Sequence, residues 1–195
     1  MDKNRDIEAV VKFAQKYDYE QEHSLQVTKL ALNLFDELEE LHGLSERDRF
    51  VLESACVLHD IGWIQGQKKH HKTALKLILG GKGLPLSEKQ RQIAALIARY
   101  HRKALPKPEH ELFGSLGTAE QEKVKILGGI LRLADGLDRS HCCVVKKIKC
   151  EIDSKKIVMN LEVDGDTTFE IEAGTKKSDL LSMTFGRQIK FSVVS

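Results

Sequence analysis

The feature that most constrains this chain is a change in the spacing of its apolar residues near position 142. Before it, aliphatic residues recur every three to four positions, the period of a half-buried helix. After it they alternate, the period of a strand with one covered face. Ile7, Val10, Val11 and Ala14 begin the helical pattern. Leu25, Leu30, Leu32, Leu34, Phe35, Leu38 and Leu41 carry it on to a stop at Gly43. Ser45 with Asp48 three residues on reads as an N-cap and its capping-box partner, predicting a helix to about His59. After a loop at 62–69, residues 70–79 predict a short helix closed by Gly80-Gly81. Pro85, then Ser87 with Gln90, start another that ends near His101. Residues 102–117 hold Pro106, Pro108, Gly114 and Gly117 and read as a long loop before a last helix over 119–140.

Beyond the change, residues 144–152 and 157–163 alternate around an Asp153-Ser154 turn. Asp164-Gly165-Asp166 is a hairpin signal that predicts a further strand over 167–171. Residues 176–185 fit a helix and 189–194 a closing strand. The expected fold class is therefore mainly α: a helical domain over 1–142, followed by a small α+β, β-rich subdomain over 143–195.

At 195 residues the chain can bury one sizeable core, alone or with a small appended unit. Aromatics make up 6% of it, so aliphatic side chains must fill that core. A net charge of +2 gives no argument for a nucleic-acid or membrane partner, so any electrostatic signal has to be local. No apolar run approaches the ~20 residues of a membrane span. The start of the chain, Met1 to Asp6, is charged and carries no secretory signal. Cys56, Cys142, Cys143 and Cys150 contain no C-x-x-C pair, a poor pattern for a zinc site or a disulfide framework. Reduced thiols and no secretory signal make the cytoplasm the expected compartment.

The chemistry-bearing residues are scattered. His59-Asp60 ends the apolar run Ala55-Cys56-Val57-Leu58, where an ionisable pair is costly unless it is partnered or holds a cation. His23 opens the second helix, His71 the helix after the loop, and His101 ends the next, while Asp135 interrupts the apolar stretch from Ile130 to Leu137. Singly, each has a plain structural role. His101 suits a helix C-terminal dipole, His23 suits solvent, and Asp135 suits pairing with Arg132 or Arg139. Together they run H…HD…H…H…D.

That order resembles the HD superfamily of metal-dependent phosphohydrolases. The strings His-Asp-Ile-Gly at 59–62, His-His-Lys at 70–72, Arg-Tyr-His-Arg-Lys at 99–103 and Leu-Ala-Asp-Gly-Leu-Asp-Arg-Ser at 133–140 are more specific. They are similar to the C-terminal HD-like region of the exopolyphosphatase/guanosine pentaphosphate phosphohydrolase family, from about residue 15 to the end. The resemblance implies that His23, His59, Asp60 and Asp135 hold one divalent metal ion. His71 and His101 match the extra histidines of two-metal members, with Asp60 bridging. His59 and Asp60 are thus the expected catalytic centre. Imidazole and carboxylate ligands suit one or two ions of Mn²⁺, Fe²⁺, Mg²⁺ or Zn²⁺, whose bound water is acidic enough to attack phosphorus near neutral pH.

Two basic clusters flank these positions: Lys68, Lys69 and Lys72 beside His70-His71, and Arg99, Arg102 and Lys103 around His101. Lys72, Arg99 and Arg102 are the expected substrate-binding cations for phosphate oxygens, with Arg132 and Arg139 as further contributors. Of the adjacent histidines the resemblance favours His71 over His70. His42 reads as a helix-end residue, His110 as a loop residue, and Trp63 as a packing residue.

Some features depart from the related families. The chain has no room for the actin-like domains that hold the polyphosphate-hydrolysing machinery of full-length exopolyphosphatases. Thr73 follows His-His-Lys where the family often has another histidine. Trp63 and Ile64 stand where guanosine tetraphosphate hydrolases have Glu-Asp, and no Gly-Tyr-Pro of cyclic-dinucleotide phosphodiesterases follows His101. The expected function is a metal-dependent phosphohydrolase acting on a small phosphorylated compound, such as a nucleotide or another phosphate ester or anhydride. The alternative is a non-catalytic sensor or adaptor binding a phosphorylated ligand in the same pocket. An exposed edge strand in the tail would permit a homo-oligomer.

Overall fold

The computed structural model describes residues 3–17, 19–66 and 68–194. Met1 and Asp2, part of the charged N-terminal segment, lie outside the described residues. Helix α1 spans Lys3–Ala14 and α2 spans Gln21–Glu37. The long helix expected up to Gly43 is broken at Leu38 (φ −104°, ψ 10°), so that Glu39–His42 forms a separate turn, α3, closed by Gly43 in the left-handed conformation. Both expected capping boxes are present. Ser45 Oγ accepts from the Asp48 amide and starts α4 at Glu46–Leu58. Ser87 Oγ accepts from the Gln90 amide and starts α6 at Glu88–Tyr100. Between them lie a 3₁₀ turn at Ile61–Gln65 and helix α5 at His70–Leu79. The loop expected at 102–117 contains one helical turn, α7 at Glu111–Gly114, and α8 follows at Thr118–Gly136.

The tail starts where the periodicity changes. Strands β1 (Val145–Ile152) and β2 (Lys156–Val163) form an antiparallel hairpin. Its turn is fixed by Asp153, whose Oδ1 accepts from the Lys155 and Lys156 amides. The strand expected at 167–171 is instead the start of helix α9, Thr168–Lys177. Asp166 explains the difference. Its Oδ1 accepts from both the amide and the hydroxyl of Thr168, so the aspartate seeds a helix start where a hairpin turn was read. Helix α10 (Asp179–Phe185) completes a crossover, and β3 (Gln188–Val194) then pairs with β2 in parallel. A parallel neighbour requires such a crossover.

The chain is thus mainly α with a small α+β tail, and the hydrophobic core is continuous across residue 142. Leu30, Leu34, Leu127 and Ile130 share it with Ile148, Ile157, Met159 and Leu181. Side chains of α2 also cap the outer edge of β1. Asn33 Oδ1 accepts from the Ile148 amide, Glu37 Oε2 from the Cys150 amide, and Gln26 donates to the Val145 carbonyl. No helix among the described residues is long and apolar enough to cross a membrane.

Candidate metal and phosphate site

Two helix ends build the centre by the same local device. His59 caps α4, and its Nδ1 lies 2.7 Å from the Cys56 carbonyl, three residues back. His101 caps α6, and its Nδ1 lies 2.6 Å from the Ala98 carbonyl, again three back. The last carbonyls of a helix lack intrahelical partners, and here an imidazole N–H supplies one. The ring that donates from Nδ1 keeps a lone pair on Nε2, which points away from its own helix. His23, in the first turn of α2, is held likewise: Asp138 Oδ2 takes Nδ1 at 2.7 Å, while Nε2 lies 3.4 Å from Asp135 Oδ1. Anchoring one ring nitrogen to a carbonyl or carboxylate is how proteins orient metal-binding histidines.

Asp60 stands at the junction. Its Oδ2 is 3.5 Å from His59 Nε2, and its Oδ1 is 3.2 Å from His70 Nε2 and 3.7 Å from His101 Nε2. Two buried groups with metal-compatible spacing result, His23–His59–Asp60 and Asp60–His70–His101, and Asp60 belongs to both. Glycine makes the second group accessible. A Cβ on Gly62 would lie 2.1 Å from the His70 carbonyl oxygen, so only a glycine lets α5 come this close to the His59-Asp60 turn. Lys69 adopts a left-handed conformation (φ 67°) just before His70, a backbone cost that a non-glycine residue pays at this corner.

Among the expected metal ligands, the structure brings together His23, His59, Asp60, His101 and Asp135, but His70 stands where His71 was expected. His71 is buried, yet it belongs to neither group and its Nδ1 has no hydrogen-bond partner. At the start of a helix, adjacent residues point in different directions, so only one of the pair can face Asp60. Burial, reinforced by the charge of Arg99, lowers the His71 imidazole to about 4.

The cations also differ from expectation. A cavity of about 550 Å³ opens over the histidines, and Arg102 lines it, whereas Lys72 and Arg99 are not among its lining residues. Arg99 instead lies over the Tyr100 ring, and Lys72 faces solvent. Arg132 has a structural part, pairing with Asp179 at 2.6 Å and donating to the Tyr100 and Lys103 carbonyls. The opposite wall comes from α9, through Lys176 and Lys177, with Arg139 and His141 from the loop after α8. Lys177 forms an ion pair with Asp135. It reaches there because α8 and α9 touch through glycines: a Cβ on Gly136 would lie 3.1 Å from the Gly174 backbone. His141 stacks on His23 with ring centres 3.9 Å apart. Sequence reasoning missed Asp138, His70 and the α9 lysines. Asp138 had a signal, lying one helical turn after Asp135. The lysines end α9, which begins within the stretch 167–171 expected as a strand and ends within 176–185, expected as a separate helix.

The buried carboxylates of the site are held in their charged form by neighbouring cations and imidazoles. Burial tends to raise the Asp60 and Asp135 carboxyls, yet the surrounding imidazoles, and for Asp135 the Lys177 ammonium, hold both below the ordinary carboxylate range. Burial tends to lower the His23 imidazole, but its hydrogen bonds to Asp135 and Asp138 outweigh that and raise it to about 9. Burial lowers His101 to about 3, leaving it neutral. His59 Nε2 is buried with no hydrogen-bond partner, although it faces an ionised carboxylate. An unprotonated Nε2 facing an anion is unfavourable, and a cation between the two would relieve it.

No curated protein matches the chain. A family model described as Ppx/GppA phosphatase, domain III, matches residues 6–182, a span that takes in every residue of this site and all of α9. By that match the chain belongs to the Ppx/GppA phosphatase domain III family.

Proposed function

We propose that this domain is an HD-type, metal-dependent phosphohydrolase acting on a small phosphorylated compound, a nucleotide or another phosphate ester or anhydride. The observation that carries the proposal is the buried, unpartnered His59 Nε2 facing Asp60, with Nδ1 fixed by the Cys56 carbonyl. The donor set fits a divalent cation: His23, His59, Asp60 and Asp135 would hold one ion, and His70 and His101 beside Asp60 would serve a second. Imidazole nitrogens and carboxylate oxygens without thiolate suit Mn²⁺, Fe²⁺, Mg²⁺ or Zn²⁺. When bound, such an ion supplies Lewis acidity and makes a water acidic enough to serve as a nucleophile.

The chain's own residues do the rest. The two helix-end carbonyls turn His59 and His101 so that Nε2 faces Asp60, and Asp138 fixes the orientation of His23. Arg102, Arg139, Lys176 and Lys177 ring the cavity and offer charge-assisted hydrogen bonds to phosphate oxygens. Membership of a phosphatase family supports hydrolysis as the reaction class.

One observation favours a second reading, a sensor or adaptor that binds a phosphorylated ligand without turnover. Lys177 already places a cation on Asp135, as a site retained only for anion binding would tolerate. A panel of phosphate esters and anhydrides separates the two. The enzyme releases phosphate or nucleotide with added divalent ion, stops on chelation, and is silent as His59→Ala. Saturable binding with no release under any of the four ions supports the adaptor and overturns the enzyme.

A further inference from the structure

The cavity is bordered by two aromatic rings that the hydrophobic core does not use. Trp63 is 39% exposed and Phe169 64% exposed, and both line the cavity that holds Asp60, His70 and Arg102. Trp63 belongs to the 3₁₀ turn after His59-Asp60, whereas Phe169 belongs to the first turn of α9, so the rings come from separate parts of the fold. Trp63 also continues a stack. Its ring lies on His70 with centres 5.1 Å apart and planes at 18°, and His70 lies on His101 at 5.4 Å and 11°. One face of the indole is therefore covered by His70, and the exposed remainder offers the next place in the column.

Leaving a tryptophan and a phenylalanine in water beside a charged site has a cost that a flat apolar ligand would recover. We propose that the occupant of this site carries a planar, unsaturated ring beside its phosphate. The ring packs on Trp63 and against Phe169, and the phosphate lies toward Arg102 and the α9 lysines. This rests on the reading of the cavity as a phosphate site and narrows its ligand class. Trp63 and Phe169 thereby become specificity-determining residues, selecting ring-bearing phosphates over inorganic or aliphatic ones. The cationic residues bind any phosphate, so the rings supply the selection.

The chain has a single tryptophan, so its fluorescence reports on this position alone. The test titrates the full chain with adenosine 5′-diphosphate, phenyl phosphate, ribose 5-phosphate and inorganic pyrophosphate, following Trp63 emission and measuring affinity by calorimetry. The two ring-bearing probes should shift or quench the emission. Adenosine 5′-diphosphate should bind roughly tenfold or more tightly than pyrophosphate, as expected for one added stacking contact. Phe169→Ala and Trp63→Leu should each remove most of the advantage of adenosine 5′-diphosphate over pyrophosphate. Equal affinity for all four probes, or an advantage that survives both substitutions, overturns the proposal. So does emission that changes with protein concentration alone, which would mean that the two rings pack on a second copy. Turnover without ring preference sinks this inference and leaves the hydrolase. Ring preference without turnover does the reverse.

Discussion

The carbonyl oxygen of His70 occupies the space that a side chain on Gly62 would need, 2.1 Å from where its Cβ would sit. That contact joins the His59-Asp60 turn to the start of α5 and sets the approach of His70 to Asp60. Gly62→Ala should push α5 away, lower stability by roughly 1–3 kcal/mol and weaken divalent-ion retention. Gly80→Ala is the control, because its Cβ would meet nothing closer than 3.4 Å. Urea unfolding and metal analysis of both variants check this. Equal metal content in Gly62→Ala and the parent would break the link between the turn and the site.

Lys177 pairs with Asp135, so on the proposed reading a metal ion would have to compete with it for that carboxylate. Lys177→Met should therefore raise divalent-ion affinity, since a neighbouring cation is removed. It should also raise the substrate concentration needed for half-maximal rate, since a phosphate-facing charge is lost. Calorimetric metal titration and steady-state kinetics read the two effects separately. Weaker metal binding in the variant would show that Lys177 orders Asp135 and does not compete for it.

Arg132 tests the difference between buried structural charge and substrate clamp. It is 6% exposed and pairs with Asp179, at the start of α10. Arg132→Met should destabilise the fold by roughly 1–3 kcal/mol, because Asp179 and two carbonyls lose their donor. The KM should stay within about twofold. A large rise in KM with unchanged stability would return Arg132 to the phosphate site.

Much of this was legible in the sequence, for physical reasons that can be named. Ser45-Asp48 and Ser87-Gln90 announced α4 and α6 because a capping box is a local bond, independent of what the helix packs against. His59 and His101 stood out because ionisable residues at the ends of apolar helices need partners. Sequence patterning could not choose between His70 and His71, which differ only in the direction of one side chain at a helix start. It also could not supply Lys176 and Lys177. Their approach depends on the α8–α9 glycine contact, and the Asp164-Gly165-Asp166 signal fits a hairpin as well as a helix start.

The Asp48–Lys123 pair gives a pH prediction away from the candidate metal site. Burial tends to raise the Asp48 carboxyl, but hydrogen bonds from Lys123 at 2.7 Å and from Ser45 outweigh that and lower it. A carboxyl lowered in the folded state contributes stability at pH values above its unfolded value, and the contribution fades as pH falls through the folded value. The stability gap between the parent and Asp48→Asn should hold steady from about pH 5.5 to 7 and shrink below about pH 4. Urea midpoints across that range check it, and a gap that widens in acid would contradict the direction of the shift.

The central claim is that His59 and Asp60 hold a divalent ion, and anomalous scattering from crystals grown with Mn²⁺ or Zn²⁺ tests it most directly. The account predicts a peak roughly 2 Å from His59 Nε2 and from an Asp60 carboxylate oxygen, with His23 and Asp135 completing its surroundings. In crystals of His59→Ala the same peak should be gone or greatly weakened. A parent crystal with no anomalous signal at these residues, or with its only signal elsewhere on the molecule, would contradict the account.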